Sequence, residues 1–250
     1  MKATHLLLTL LLALLSVALS ATLPAQGASP FGRVLSGSRE QPRVVACDYP
    51  EFALLLPHMA GNLKLGVISG SRSAWLNNPR NVKVASAESG VRYEVTDPIL
   101  GSGSLTLRVR SLSATDGLLV EAEAADVPEG VKLLWAYGGA CGEVIVDTPA
   151  LAPERCHSNV FSVEGSAFTL YFGEVMHLKT VHGLTPPESE IRLSDARQQS
   201  SPLTFFQSGK QTDAPALTGA LPLLNGQKYY FCMYVQSAKA DYAYYMLPRL

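Results

Sequence analysis

The chain has 250 residues, 47% of them hydrophobic and only 16% charged, with 20 glycines, 16 prolines and four cysteines. That balance excludes an intrinsically disordered tail, a coiled coil and a collagen-like rod. With 21 acidic against 20 basic residues the formal charge is −1, so no broad basic face awaits nucleic acid.

Met1 to His5 supplies a short basic start, followed by an almost unbroken apolar run from Leu6 to Leu19. The run is shorter than the ~20 residues of a spanning helix. It ends in Ala18-Leu19-Ser20, the small-x-small pattern of a signal-peptidase site, so residues 1–20 are expected to be a cleaved secretory signal. No later stretch is long and apolar enough to cross a bilayer, and the protein is expected to be exported: periplasmic, at the cell surface or secreted. Residues 21–46, rich in Pro, Gly and Ser, read as a flexible leader, and residues 47–250 as one domain.

In an exported chain, Cys47, Cys141, Cys156 and Cys232 favour disulfides over metal. Three pairings are open. Cys141 with Cys156 is the local one, which leaves Cys47 for Cys232. The cysteines lack C-x-x-C spacing. His177 and His182 are five apart on a predicted strand and face opposite ways, as do the adjacent Cys156 and His157. No metal or other cofactor is expected.

From Phe52 onward, short apolar runs alternate with turn clusters. Strands are expected over Phe52–Leu56, Leu63–Ser69, Val82–Ala87 and Val91–Thr96. Ser104–Asp126 reads as an antiparallel hairpin. Leu105, Leu107 and Val109 share one face of its first arm, and Leu118, Val120, Ala122 and Ala124 one face of its second. Closing the hairpin through Ala114-Thr115-Asp116-Gly117 sets Arg108 opposite Glu123 and Arg110 opposite Glu121, pairs that contribute a few tenths to ~1 kcal/mol each. Val131–Tyr137 follows, with Leu133, Trp135 and Tyr137 on one side. Later strands are expected over Val160–Val163, Phe168–Phe172, Val175–Val181, Leu203–Phe206 and Lys228–Gln236, with a single helical turn at Asp195–Ser200. The fold class this implies is all-β: a large two-sheet antiparallel β-sandwich, supersandwich-like, with minimal helix.

Little in the sequence points to catalysis. Gly101-Ser102-Gly103 feeds a strand rather than a helix, so it is a turn and not a phosphate loop. No G-x-S-x-G elbow is present. Asp97, Glu143, Asp147 and Glu154 lie in or near predicted loops, where a glycosidase pair would need carboxylates about 5 to 9 Å apart. Ligand contact is expected instead at Trp75, whose ring can stack on a sugar, with His58 and Asn62 flanking Gly61 to bond hydroxyls, and at Glu154.

Several short motifs recur in a recognisable order. They begin with Phe52-Ala53-Leu54 through Leu56-Pro57, Gly61-Asn62-Leu63-Lys64-Leu65-Gly66, Trp75-Leu76, Tyr93, Thr96-Asp97-Pro98 and Leu100-Gly101. Trp135-Ala136-Tyr137-Gly138-Gly139, Glu154, Cys156, Asn159 and Ile191-Arg192-Leu193-Ser194-Asp195-Ala196 complete the series. From about Pro50 to Gln236 the chain resembles the secreted bacterial family known as domain of unknown function 4450. The resemblance implies the N-terminal β-sandwich of longer, glycoside-hydrolase-like proteins, in which an (α/α) toroid carries the catalytic acid. On that implication this sequence, ending at Leu250, is expected to hold the sandwich without a toroid. Asp241–Leu247 would then be apolar surface against a missing neighbour. The family supplies no catalytic residue to carry across, and it lends no support to a disulfide at Cys141.

Three readings follow. The first is an exported, non-catalytic module associated with glycan handling, with a glycan or a carbohydrate-active protein as partner. The second is a glycoside hydrolase or lyase using loop carboxylates. The third is a structural envelope domain without a ligand.

Overall fold

Alternating sequence builds the central hairpin. In β8 (Ser104–Ser111) and β9 (Gly117–Ala125) the side chains of Leu105, Leu107, Val109, Leu118, Val120, Ala122 and Ala124 are buried, while Arg108, Glu121 and Glu123 take the other face. The register differs from expectation by two residues. Arg108 stands opposite Glu121, Thr106 opposite Glu123 and Arg110 opposite Leu119. A slip of two keeps every side chain on its face, so the apolar pattern alone does not exclude it. Tertiary anchoring of the turn selects it: the Thr115 hydroxyl donates to the Val235 carbonyl at 2.5 Å, and the Val235 N–H donates to the Asp116 carbonyl. The Arg108 guanidinium still reaches Glu121 at 2.6 Å and Glu123 at 3.4 Å.

The computed structural model describes residues 31–37, 43–56, 59–139, 151–172, 179–209 and 211–236. They form two antiparallel sheets. The first runs, edge to edge, β1 (Arg33–Ser36), β2 (Arg43–Ala46), β3 (Glu51–Leu56), β4 (Met59–Ser69), β10 (Lys132–Gly138), β15 (Pro215–Pro222) and β14 (Glu190–Asp195). Beyond the end of β3, β5 (Arg72–Trp75) pairs with β4. The second sheet runs β11 (Val160–Glu164), β12 (Ala167–Phe172), β13 (Lys179–Leu184), β16 (Lys228–Tyr234), β9, β8, β7 (Gly90–Val95) and β6 (Val82–Ala87). The all-β sandwich is therefore as expected.

Three local expectations are corrected. Arg33–Ser36 and Arg43–Ala46 are paired strands of the first sheet, so the leader drawn over 21–46 is not wholly a loose arm. Leu203–Phe206 lies in a helix, α1 (Pro202–Gln207), because Ser201 caps the Thr204 N–H and Pro202 fills the first turn. Asp195–Ser200 ends a strand and makes a turn rather than a helical turn. The signal peptide, Cys141, His58, His177 and the 241–247 segment lie outside the described residues.

Between the sheets, Phe52, Leu63, Leu65, Leu133, Trp135 and Tyr137 meet Leu107, Val120, Phe168, Leu170, Phe231 and Met233. Trp135 stacks on Phe168 at 6.1 Å and meets the Phe231 ring at an angle at 6.4 Å, and its indole N–H donates to the Ser189 hydroxyl. Its register partner is Gly219, where a Cβ would lie 2.3 Å from Trp135 Nε1. The bulk of the indole thus requires glycine on the neighbouring strand.

That core also corrects one disulfide pairing. Cys47 sits with Val45, Ala53 and Leu55 on the outer side of the first sheet, and Cys232 with Leu119 and Leu184 on the outer side of the second. The interior separates them by more than the ~7 Å Cα limit of a disulfide, and both thiols are free and buried. Burial pushes each up to about 12.

Two outcomes are expected. Gly219→Ala should destabilise the fold by about 1–3 kcal/mol through overpacking against Trp135, read as a lower urea midpoint. Alkylation at pH 8 should spare Cys47 and Cys232 in the native protein and modify both once it is denatured, read by mass spectrometry.

Candidate functional site

The two faces of the first sheet are built differently. Its inner face carries large side chains. On its outer face β10 and β15 present, beside Leu134, the small residues Ala136, Gly138, Ala216 and Ala220, and large residues cover them from outside. Leu151, Cys156, Phe205 and Trp75 pack over Ala136 and Ala216, and Phe206 over Leu134 and Ala220. Gly66 of β4 allows the closest approach, since a Cβ there would meet Pro202 Cγ at 2.8 Å and Trp75 Cε3 at 3.1 Å.

Within this apolar layer lies a short polar row. Glu51 of β3 stands opposite Lys64 of β4, and Asn62 precedes Lys64 by one full alternation on the same face. The Lys64 ammonium lies 3.6 Å from Glu51 Oε1, and the Asn62 amide N–H₂ faces Glu51 Oε2 at 3.5 Å. The Glu51 and Lys64 side chains are only 13% and 15% exposed. Asn62 is buried, and among the described residues its Oδ1 accepts no hydrogen bond. Burial pushes the Glu51 carboxyl above its usual 4.5, while the Lys64 charge and the Asn62 and Lys64 hydrogen bonds draw it back. Tyr49 and Cys47 continue the row, with the Tyr49 hydroxyl hydrogen-bonded to the Cys47 thiol.

The residues singled out from sequence distribute around this layer. Trp75 is half-buried at the end of β5 rather than presented to solvent. Its indole N–H donates to the Gln199 carbonyl at 2.9 Å, Lys64 Nζ lies 4.3 Å over its ring, and the edge of Phe205 meets it at 6.2 Å. Asn62 lies within β4 rather than in a loop. It is opposite Gly138 of β10, and the adjoining Gly139 N–H donates to Asn159 Oδ1. Asn62, Gly138, Gly139, Cys156 and Asn159 are thus gathered at one end of β10. Glu154 is exposed on the one-turn helix Pro153–Arg155 beside them. Asp97 is occupied as a cap, accepting from the Ile99 N–H at 2.8 Å. Glu143 and Asp147 lie outside the described residues. Among the described residues no three His, Cys, Asp or Glu side chains are grouped to hold a metal ion.

Sequence reasoning missed Glu51, Lys64 and Gln199. The signal for the first two was available. Asn62 and Lys64 alternate with Leu63 and Leu65, and Glu51 alternates with Phe52, which places three polar groups on one side of neighbouring strands. Gln199 gave no such signal, because its side-chain bond to the Leu151 carbonyl joins segments distant in sequence.

Because the Glu51 proton affinity is higher folded than unfolded, its contribution to stability is complete below pH ~4.5 and falls as the pH rises through the raised value. Lys64→Met keeps the stem over Trp75 and removes the compensating charge. The loss relative to wild type should approach the ~3–5 kcal/mol of a broken buried pair at pH 8 and shrink toward pH 4.5. Urea midpoints at the two pH values measure it, and a loss that is the same at both would clear Glu51 of this role.

A family model described as "Domain of unknown function (DUF4450)" matches residues 56–250. No curated protein matches the sequence. Among solved structures, a bacterial glucoamylase complexed with acarbose is similar in fold, with a TM-score of 0.54 at 12% identity. The likeness covers 85% of this chain and 33% of that chain, so this chain spans about a third of that protein's length. With most of its length matched by the family model, the chain belongs to the DUF4450 family.

Proposed function

We propose that this chain is an exported, non-catalytic β-sandwich module associated with glycan handling, which packs on a carbohydrate-active partner or binds sugar weakly. The observation that carries this reading is the likeness of nearly the whole chain to one third of a glucoamylase. The remaining two thirds of that protein have no counterpart in the match.

The described carboxylates favour binding over hydrolysis. Glu121 and Glu123 share Arg108, and Asp195 and Asp213 share Arg197. The Arg197 guanidinium holds Asp213 below its usual range. A glycosidase needs one carboxyl with raised proton affinity facing a second across the scissile bond. Glu51 has the first property, but it is turned against Lys64 inside the covered layer. Glu154 is exposed on its one-turn helix, between Leu151 and Cys156 of that layer.

Purified protein, screened against soluble neutral glycans for both binding and release of reducing ends, should show weak saturable binding without turnover. Turnover abolished by Glu154→Gln would replace this reading with a hydrolase. Absence of binding to every glycan, together with failure to co-purify with a carbohydrate-active protein, would leave a structural domain.

A further inference from the structure

The two sheets end in β1, β14, β11 and β6, and three of these edges carry a device against further pairing. A bare edge is a row of unpaired N–H and C=O groups that another strand can complete. Folded proteins blunt it with short length, a bulge, lysine or a cover. β1 has four residues and an irregular register between Val34 and Ser36. Over β14, the Ser208 hydroxyl accepts from the Asp195 N–H, and Gly209 lies so close that a Cβ there would be 1.8 Å from the Leu193 carbonyl oxygen. β6 carries Lys83, whose side chain is exposed. β11 has none of these. Its register with β12 is regular from Val160 to Glu164, it holds no lysine, arginine or proline, and among the described residues no strand lies on its other side. Val160 is 61% and Val163 46% exposed.

The Gly165-Ser166 loop sets Glu164 opposite Ala167. A two-residue loop makes that flanking pair a hydrogen-bonded one, and alternation then commits the backbone of Glu164, Ser162 and Val160 to β12. Phe161 and Val163 turn their N–H and C=O groups outward. Their side chains lie toward the inner face, where the edge of Phe161 meets the Phe168 ring at 6.2 Å and Val163 stands opposite Phe168.

We propose that β11 pairs antiparallel with β11 of a second copy of this chain, about a two-fold axis at Ser162. Phe161 then faces Val163 of the second copy, and Val163 faces its Phe161. Each outward N–H meets a C=O, and two aromatic–β-branched pairs extend the dry inner face across the axis. Glu164 falls opposite Val160. The two Glu164 carboxylates stand four residues apart along the ladder, roughly 14 Å, beyond the ~8 Å screening length. This self-match is what selects a second copy: apolar meets apolar on the inner face, and no charge is set against its like. Such an interface is isologous and closes at two subunits. Five residues make it small, so association is weak and reversible.

The test follows the full chain by sedimentation equilibrium from ~10 µM to ~1 mM, the range in which small interfaces associate. The mass should rise with concentration toward a dimer. Val163→Pro deletes an outward N–H and leaves the pairing with β12 in place. It should weaken association roughly tenfold or more, because the axis doubles the loss. Ser162→Cys sets one thiol against its copy at the ~4.5 Å Cα separation of a non-hydrogen-bonded pair, which a disulfide spans. Mild oxidation should join the copies through residue 162, identified by peptide mass spectrometry, and far faster than Val160→Cys joins them through residue 160. A chain that stays monomeric throughout overturns the second copy as occupant and leaves the edge to a strand of another protein. A dimer that cross-links at residue 162 no faster than at residue 160, or that survives Val163→Pro unweakened, has its interface elsewhere and overturns the proposal. If Val163→Pro fails to fold, the cross-linking comparison decides by itself.

Discussion

Burial of both faces of one sheet is the constraint from which the rest of the molecule follows. A β-sandwich needs only its two inner faces dry, and the second sheet accordingly keeps Arg108, Glu121, Glu123 and Lys228 in contact with water. The first sheet is covered again from outside by α1, Trp75 and the loops around Cys156 and Gln199. The covering layer demands small residues beneath it, and β10 and β15 supply them. It also means that a polar side chain on that face must find its partner within the protein. Glu51, Asn62 and Lys64 are the residues for which this is met incompletely.

The parts of the fold legible in the sequence are those that answer to one dry face. β7 and β8 alternate cleanly because their outer side is wet, and β9 does so from Val120 to Ala124, whereas Leu119 is buried on the outer side with Leu112, Leu184 and Cys232. β15, with the sequence Pro-Ala-Leu-Thr-Gly-Ala-Leu-Pro, is buried along most of its length and bounded by prolines. Its small residues carry no alternation, so nothing marked it as a strand. Leu203–Phe206 failed for another reason. A four-residue apolar run fits a buried strand and a helix equally well, and the decision lay in the Ser201-Pro202 cap just before it. The hairpin register failed because both registers satisfy the same faces, and the choice was made by β16 at the turn.

The candidate site was legible in its residues more than in its reasons. Trp75 and Asn62 were selected as surface groups for sugar contact, yet one is held by Gln199, Lys64 and Phe205, and the other is buried within β4. They belong together because Asn62, Lys64 and Gly66 succeed one another on one face of β4, and Trp75 is the register partner of Gly66. Gly66 is the hinge of that arrangement. Without a side chain it lets the indole lie down on the sheet, and the indole in turn places a ring under the Lys64 ammonium. No property of Trp75 read singly predicts this.

The energetics of the two sheets separate accordingly. Ion pairs on the wet face of the second sheet are worth between nothing and ~1 kcal/mol each, and replacing them changes little. The Glu51–Lys64 pair is different in kind. Two apolar residues of similar volume in its place would be neutral or more stable, because desolvating both charges consumes what their attraction returns. Distances of 3.5–3.6 Å weaken that return further, and the bare Asn62 oxygen adds its own cost. A fold under selection for stability alone has no reason to hold three polar groups there. Their presence within an apolar layer, mutually close but at long distances, is a cost that the packing of the covered sheet bears.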